Sequence, residues 1–364
     1  MHHSLTTRAA QIDKVPLYRQ EDPELHEQDG LTWDLSNNEV FSPPAPRTLT
    51  ALQCGMTHAN RYPSPYPGQL AAALSEHYAV GPRQILVGAG SAGVLQQLLL
   101  ALCSPGDEVL YATPGFDAYP ILIASTGAAA VAVPLTPRGH HDLPEMLKHV
   151  SPRTKVVILC SPHNPTGLRI PRDELLDSLE RLPAAVTVIL DEAYIEFDEE
   201  ADPYDMTLLR LGRRLALLRT FSKAYGLAGL RVGYALSSSR TLCERARKAA
   251  IPFSVTRAAE LAAVAALREQ PALRERTAGI QAERTRLEEA LRSVGVCSWP
   301  SRGNYVWLPL GQKAHVFRRC ALLDGVIVRE YPGEGVRITV GPEQAHAAVL
   351  TAAQRYAQAV QVSG

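Results

Sequence analysis

One lysine stands among small residues in Arg219-Thr-Phe-Ser-Lys223-Ala-Tyr-Gly-Leu-Ala-Gly-Leu-Arg231, directly after the apolar run Leu215-Ala-Leu-Leu218. An amine held in a shielded, partly desolvated pocket loses its preference for the charged form and can condense with an aldehyde. Ser222, Arg231 and nearby backbone donors suit a phosphate better than a bare carbonyl. Taken alone, Lys223 is equally well a solvated surface lysine. The choice turns on the company it keeps.

Three other unusual segments also follow apolar runs: Gly88-Ala-Gly-Ser91, Ser161-Pro-His-Asn-Pro-Thr-Gly167 and Asp191-Glu-Ala-Tyr194. A carboxylate ending a wholly apolar strand, as Asp191 does, is costly unless it meets a cation such as a pyridinium nitrogen; the plain alternative is a helix cap or a backbone contact. Asn164 and Tyr194 are candidate donors to a ring oxygen, although asparagine before proline is also common in turns. The glycines before Ser91 would open a helix and present N–H groups to a phosphate. With Gly93 they also spell Gly-x-Gly-x-x-Gly, which keeps nucleotide binding in play, but Tyr111-Ala-Thr-Pro stands where a ribose-binding acid is expected. Phe116 either stacks on a planar ring or packs in the core. Arg337, alternating with apolar residues in Gly335-Val-Arg-Ile-Thr-Val340, needs an anion: a substrate carboxylate or a structural partner. Arg329 is a candidate for a second anionic or polar group, or an exposed side chain. A reactive lysine beside phosphate donors and a pyridinium-pairing carboxylate describes a pyridoxal 5'-phosphate (PLP) site.

Positioning these groups calls for a sheet whose strand ends meet. Apolar runs at 84–87, 108–111, 130–133, 155–159 and 186–190 alternate with amphipathic segments near 69–79, 91–103, 116–124 and 172–181. Strands apolar on both faces and separated by helices predict a largely parallel sheet in an α/β domain, with function at the carboxyl ends of its strands. After about 240 the pattern becomes long Ala/Leu/Arg/Glu helices to 294, short strands at 305–308, 326–328 and 336–340, and a last helix from Glu343. We therefore expect an N-terminal arm over 1–44, a large domain over 45–240 and a smaller α+β domain over 241–364.

Length and composition bound the function. A chain of 364 residues predicts two domains, and 46% apolar with 20% charged residues is ordinary for a globular enzyme. Lys+Arg and Asp+Glu are both 37, so no net charge argues for nucleic acid or an anionic membrane as partner. The six cysteines are scattered without metal spacing, which predicts no metal site and a reducing, cytoplasmic setting. The N-terminal segment lacks the apolar core of a signal peptide, and no run approaches a membrane span.

With Ser-Pro-His-Asn-Pro-Thr-Gly, Asp-Glu-Ala-Tyr, the lysine segment and Val-Arg-Ile-Thr-Val-Gly assembled, the chain resembles the fold type I PLP enzymes from about 30 to 360, and most of all the class II aminotransferases of the histidinol-phosphate and aromatic kind. The resemblance implies a mostly parallel seven-stranded sheet flanked by helices, a small α+β domain, and amino transfer between an amino acid and a 2-oxo acid in a homodimer with shared sites. It implies Lys223 as the cofactor-bonding lysine and proton shuttle, Asp191 at the pyridine nitrogen, and Tyr194 and Asn164 at the ring oxygen. Phe116 would stack on the ring, and Ser91, Ala92, Ser222 and Arg231 would hold the phosphate, joined by Tyr62 of the neighbouring subunit. Arg337 would bind the substrate carboxylate, Arg329 matches the position that meets a distal phosphate, and Asn38 lies in the arm bordering the substrate. The arm reads Asn38-Glu39-Val40-Phe41 where the family has Asn-Glu-Asn-Pro, and Gly90-Ser91-Ala92-Gly93 replaces Gly-Ser-Asp-Glu. Tyr305 stands where phenylalanine often follows the asparagine. These departures leave the side-chain substrate open: aromatic, histidinol-phosphate-like, or an unusual oxo acid such as a guanidino one, with a PLP decarboxylase as the other chemistry.

Overall fold

The computed structural model of the chain describes residues 12–15, 17–18 and 33–362. The arm enters as β1 (Trp33–Asp34), followed by α1 (Pro46–Met56) and α2 (Gly68–Tyr78). The large sheet comprises β2 (Ile85–Ala89), β3 (Glu108–Thr113), β4 (Ala129–Pro134), β5 (Thr154–Cys160), β6 (Thr187–Asp191), β7 (Leu215–Thr220) and β8 (Val232–Ser237), in the order β2-β8-β7-β6-β5-β3-β4. Strands β5 to β7 are buried on both faces almost throughout, which is why they read as unbroken apolar runs rather than alternations. Helices α3 (Gly90–Leu102), α4 (Ala118–Ala124), α5 (Leu143–Lys148) and α6 (Arg172–Arg181) connect them. The expected helices thus form with their ends shifted by a residue or two.

Strand β8 was not expected, because Val232-Gly-Tyr-Ala-Leu-Ser237 follows a glycine-rich loop and carries no turn signal of its own. It is the one strand of the large sheet that runs against its neighbours β7 and β2. Its first residues therefore lie at the edge where the parallel strands end. Helix α1 was likewise missed: its Pro46 start reads as a turn, yet proline suits the first helical position.

The small domain contains β9 (Tyr305–Leu308), β11 (Arg329–Tyr331) and β12 (Gly335–Thr339) as an antiparallel sheet, with β10 (Val326–Ile327) pairing with β1 in parallel. Helices α10 (Ala314–Leu323) and α11 (Glu343–Val362) cover it. The expected boundary at 240 is not where the packing changes. Helix α7 (Arg240–Lys248) packs on α3 and β2, and α8 (Arg257–Arg268) on α1 and α2, all in the large domain. Within α9 (Gln270–Ser293), Leu273 belongs to the large core while Leu287 and Leu291 join the small one. A uniform Ala/Leu/Arg/Glu helix pattern does not reveal which core each apolar stripe meets. From the arm, Leu35 is fully buried in the small-domain core.

At the β2–β8 contact, a Cβ on Gly233 would lie 2.2 Å from the Ser91 backbone nitrogen and 2.4 Å from the Gly90 carbonyl carbon. The obstacle is backbone, so it cannot swing aside. Gly233→Ala should cost about 1–3 kcal/mol by overpacking, seen as a lower midpoint in urea denaturation; an unchanged midpoint would mean that the turn into α3 relaxes freely.

Candidate active site

The carboxyl ends of β2, β3, β5, β6 and β7, with the start of β8, surround a cavity of about 190 Å³. Lys223, in the loop after β7, points its Nζ at the arm, donating to the carbonyls of Asn37 at 2.9 Å and Asn38 at 3.1 Å. Burial, then the neighbouring positive charge of Arg337, bring its pKa down to about 7; Glu39 opposes this and Arg231 adds to it. Asp191 ends β6 at the cavity floor. It accepts from the Tyr119 hydroxyl at 2.7 Å and from the Ala193 amide at 3.2 Å, and burial pushes its carboxyl up to about 6. A carboxyl so strained toward its neutral form would gain most from a cation at its open side.

An anion cradle lies at the opposite end. Gly90 has φ +73°, and a Cβ there would come within 2.5 Å of Arg231 Nη2, so only glycine lets the guanidinium lie against this turn. Arg231, itself at φ +53°, donates through Nη1 to Ser222 Oγ at 3.2 Å and to the Ala228 carbonyl at 3.1 Å. Ser91 and Ala92 line the same wall in the first turn of α3, where helix N–H groups lack partners within the helix.

Arg337 of β12 faces the cavity from the small domain. It donates through Nη1 to Asn164 Oδ1 at 2.5 Å and through Nη2 to the Ser36 carbonyl, while its buried Nε has no hydrogen-bond partner. The Asn164 carbonyl oxygen being taken, its amide is left to donate. Similarly the Tyr194 hydroxyl accepts from Asn38 Nδ2 at 2.9 Å, and burial holds the phenol well above its ordinary range, so it remains a donor.

Lys223, Asp191, Tyr194, Asn164, Phe116, Ser91, Ala92, Ser222, Arg231, Arg337 and Arg329 all line this one cavity. Asn38 does not: its side chain supports Tyr194 from behind, and Asn37 lines the cavity instead. Tyr62 lies apart, 85% exposed, its ring 5.3 Å from that of Phe253. Sequence reasoning missed Tyr119, which holds Asp191, and Asp117, which pairs with Arg329. Both stand in Phe116-Asp-Ala-Tyr119 beside a residue already singled out, so proximity in the chain was the available signal. Tyr331 was also readable, two residues beyond Arg329 on the same strand face. Tyr18 carried no such mark. Among the described residues no His/Cys/Asp/Glu cluster could hold a metal, and no helix is long and apolar enough to cross a membrane.

A buried lysine at the sheet's carboxyl edge, flanked by an arginine–serine cradle and a buried carboxylate, suits a group-transfer enzyme working through an aldehyde cofactor. The chain belongs to the class I and II aminotransferases, whose family model matches residues 33–355. The aromatic amino acid aminotransferase of Streptomyces coelicolor is 40% identical over 349 residues, covering 95% of this chain and 96% of that protein. The enzyme of the same name from Nocardia farcinica is 42% identical over 311 residues, 84% of this chain and 87% of its own length. The crystal structure of histidinol-phosphate aminotransferase from Sinorhizobium meliloti, solved with pyridoxal-5'-phosphate, superposes with a TM-score of 0.86 at 28% identity, covering 96% of this chain and 97% of that one.

An amine with a pKa near 7 is neutral, and so nucleophilic, above that pH. Reductive trapping of Lys223 by an aldehyde, mapped by peptide mass, should rise about tenfold per pH unit below 7 and level off above it. A rate still climbing at alkaline pH would mean an ordinary, solvated amine.

Proposed function

We propose that the protein is a PLP-dependent aminotransferase that moves an amino group between an L-amino acid and a 2-oxo acid in two half-reactions at one site, with an aromatic amino acid as substrate. The carrying observation is the placement of a neutral-poised Lys223 between the Arg231–Ser222–Gly90 cradle and Asp191. The aromatic assignment leans on the relatives at 40% identity.

The donor set fits this cofactor. Arg231, Ser222 and the Ser91 and Ala92 amides would hold its phosphate, Asp191 would face its ring nitrogen, Asn164 and Tyr194 would donate to its ring oxygen, and Phe116 would stack on the ring. When bound, PLP supplies an aldehyde that condenses with amines and a ring that accepts electrons from the substrate's α-carbon. Lys223, its pKa brought down to about 7 chiefly by burial, would take the proton from that carbon as base and return one as acid. Tyr119 donates to Asp191 and orients it, and the Asp191 carboxylate would favour a protonated ring nitrogen on the bound cofactor. Arg337 Nε, buried and without a partner, is available to the α-carboxylate and so orients the Cα–H bond. The six cysteines are free, in keeping with a reducing cytoplasm.

Exposed Tyr62, with Met56, Tyr66, Ile251 and Phe253 also open to solvent, supports a homodimer in which Tyr62 reaches the partner's phosphate site.

Phenylalanine should convert the absorbance of the PLP-loaded enzyme to that of its amino form and release phenylpyruvate, and Lys223→Ala should abolish the conversion. Carbon dioxide in place of the oxo acid would sink the transamination reading. Arg337→Gln should lower kcat/KM by about 10- to 100-fold, the loss of one charge-assisted contact. Mixing Tyr62→Phe with Lys223→Ala dimers should restore part of the activity that each lacks; no recovery on subunit exchange would argue against shared sites.

A further inference from the structure

Tyr305 does not line the cavity, yet it meets two residues that do and the backbone beside a third. It is fully buried on β9, and its hydroxyl donates to the His163 carbonyl oxygen at 2.7 Å. Its ring meets that of Tyr194 edge to face, with centroids 5.0 Å apart. The Arg337 guanidinium lies 5.7 Å from the centroid of the same ring. Room for this ring depends on Gly303, where a Cβ would come within 2.4 Å of it. Burial pushes the phenol well above its ordinary range, so the hydroxyl remains a donor at any working pH.

The His163 carbonyl and the Asn164 nitrogen belong to one planar peptide unit. That carbonyl accepts from the Gly167 amide at 2.6 Å within its own loop, and from Tyr305 across to the small domain. Two donors from different parts of the chain fix the plane, and with it the direction in which the Asn164 side chain leaves the backbone. The Asn164 Oδ1 then accepts from Arg337 Nη1 at 2.5 Å, and Arg337 stands on β12, which pairs with β9. Asn164 is thus tied to one small-domain sheet at two points, directly through Arg337 and from behind through Tyr305. Removing the Tyr305 hydroxyl leaves the carbonyl its bond from Gly167, so no buried acceptor is orphaned and the loop keeps its turn.

We propose that Tyr305 is a positioning residue: its hydroxyl aims Asn164 at the cofactor's ring oxygen, and its ring backs Tyr194 and Arg337, so that ring oxygen and α-carboxylate are met in one fixed frame. This rests on the aminotransferase reading above. Tyr305 touches neither cofactor nor substrate, and its effect is read through the groups it holds.

The test is Tyr305→Phe, which removes the hydroxyl and keeps the ring. A looser Asn164 donates less well to the ring oxygen of bound PLP, and that oxygen then holds a proton more readily. The pH titration of the PLP absorbance should therefore move up by about half to one unit. With phenylalanine, kcat should fall about 3- to 10-fold while KM stays within about twofold. In the unloaded protein, amide hydrogen exchange of the peptide spanning 161–168 should quicken. Tyr305→Leu, which also removes the ring beside Arg337, should in addition raise KM about fivefold. A spectral titration unchanged in Tyr305→Phe overturns the proposal, even with a lower urea midpoint, because a merely structural role moves only the midpoint. Unchanged exchange over 161–168 overturns it too. A parent protein that takes up no PLP sinks the aminotransferase reading, whereas a loaded parent and Tyr305→Phe that titrate alike sink this inference alone.

Discussion

A buried guanidinium is costly unless acceptors meet it, and at Arg337 the groups that meet come from three separate parts of the chain. The arm supplies the Ser36 carbonyl, the large domain supplies Asn164, and the small domain supplies the arginine itself. Its cationic carbon also lies 5.7 Å over the Tyr305 ring. Because unpaired charge in a low-dielectric interior is costly, this residue ties arm and domains around one cavity. The arm's next residues extend the tie: Asn38 receives Asn304 and Lys223 on its carbonyl and gives its amide to Tyr194. The left-handed φ of +54° at Asn38 is one that asparagine tolerates better than most residues, and it lets carbonyl and side chain serve different walls.

Electrostatics divides the cavity into regions with separate tasks. Near Lys223 burial and then two arginines favour a neutral amine, as the proposed role of nucleophile and proton carrier requires. At the floor, Asp191 is held by a neutral phenol, and burial with the neighbouring Glu192 charge raises its pKa, so a cationic ligand there would be favoured. At the distal end Arg329 and Asp117 pair across the two walls. Each region is made from at least two chain segments, and neither segment shows the property alone.

Legibility in the sequence followed the length scale of the cause. The strands β3, β5, β6 and β7 were readable because burial on both faces leaves an unbroken apolar run. The residues just past them were readable because charged, amide and glycine residues are costly or unusual in that position unless they have a task. Strand β8 was hidden by the glycine-rich loop before it, and α1 by its proline start. The domain boundary was misplaced because α7, α8 and α9 share one composition while packing on different cores. Tyr119 and Asp117 escaped notice because a tyrosine and an aspartate at the start of a helix have ordinary local roles, and only their partners, far along the chain, reveal the other use.

What the sequence determined by itself is the set of candidate groups: a lysine, a carboxylate, a glycine-rich turn with a serine, and arginines, each recognisable because its type is improbable in its local setting. What only the tertiary structure decided is the state of those groups and the character of the space between them. Burial depth sets whether Lys223 is charged, the reversed β8 brings Arg231 to Gly90, and Asp117 meets Arg329 across 212 positions of chain. Charge compensation and desolvation depend on distances in space, so a linear order of residues carries them only after the chain has folded.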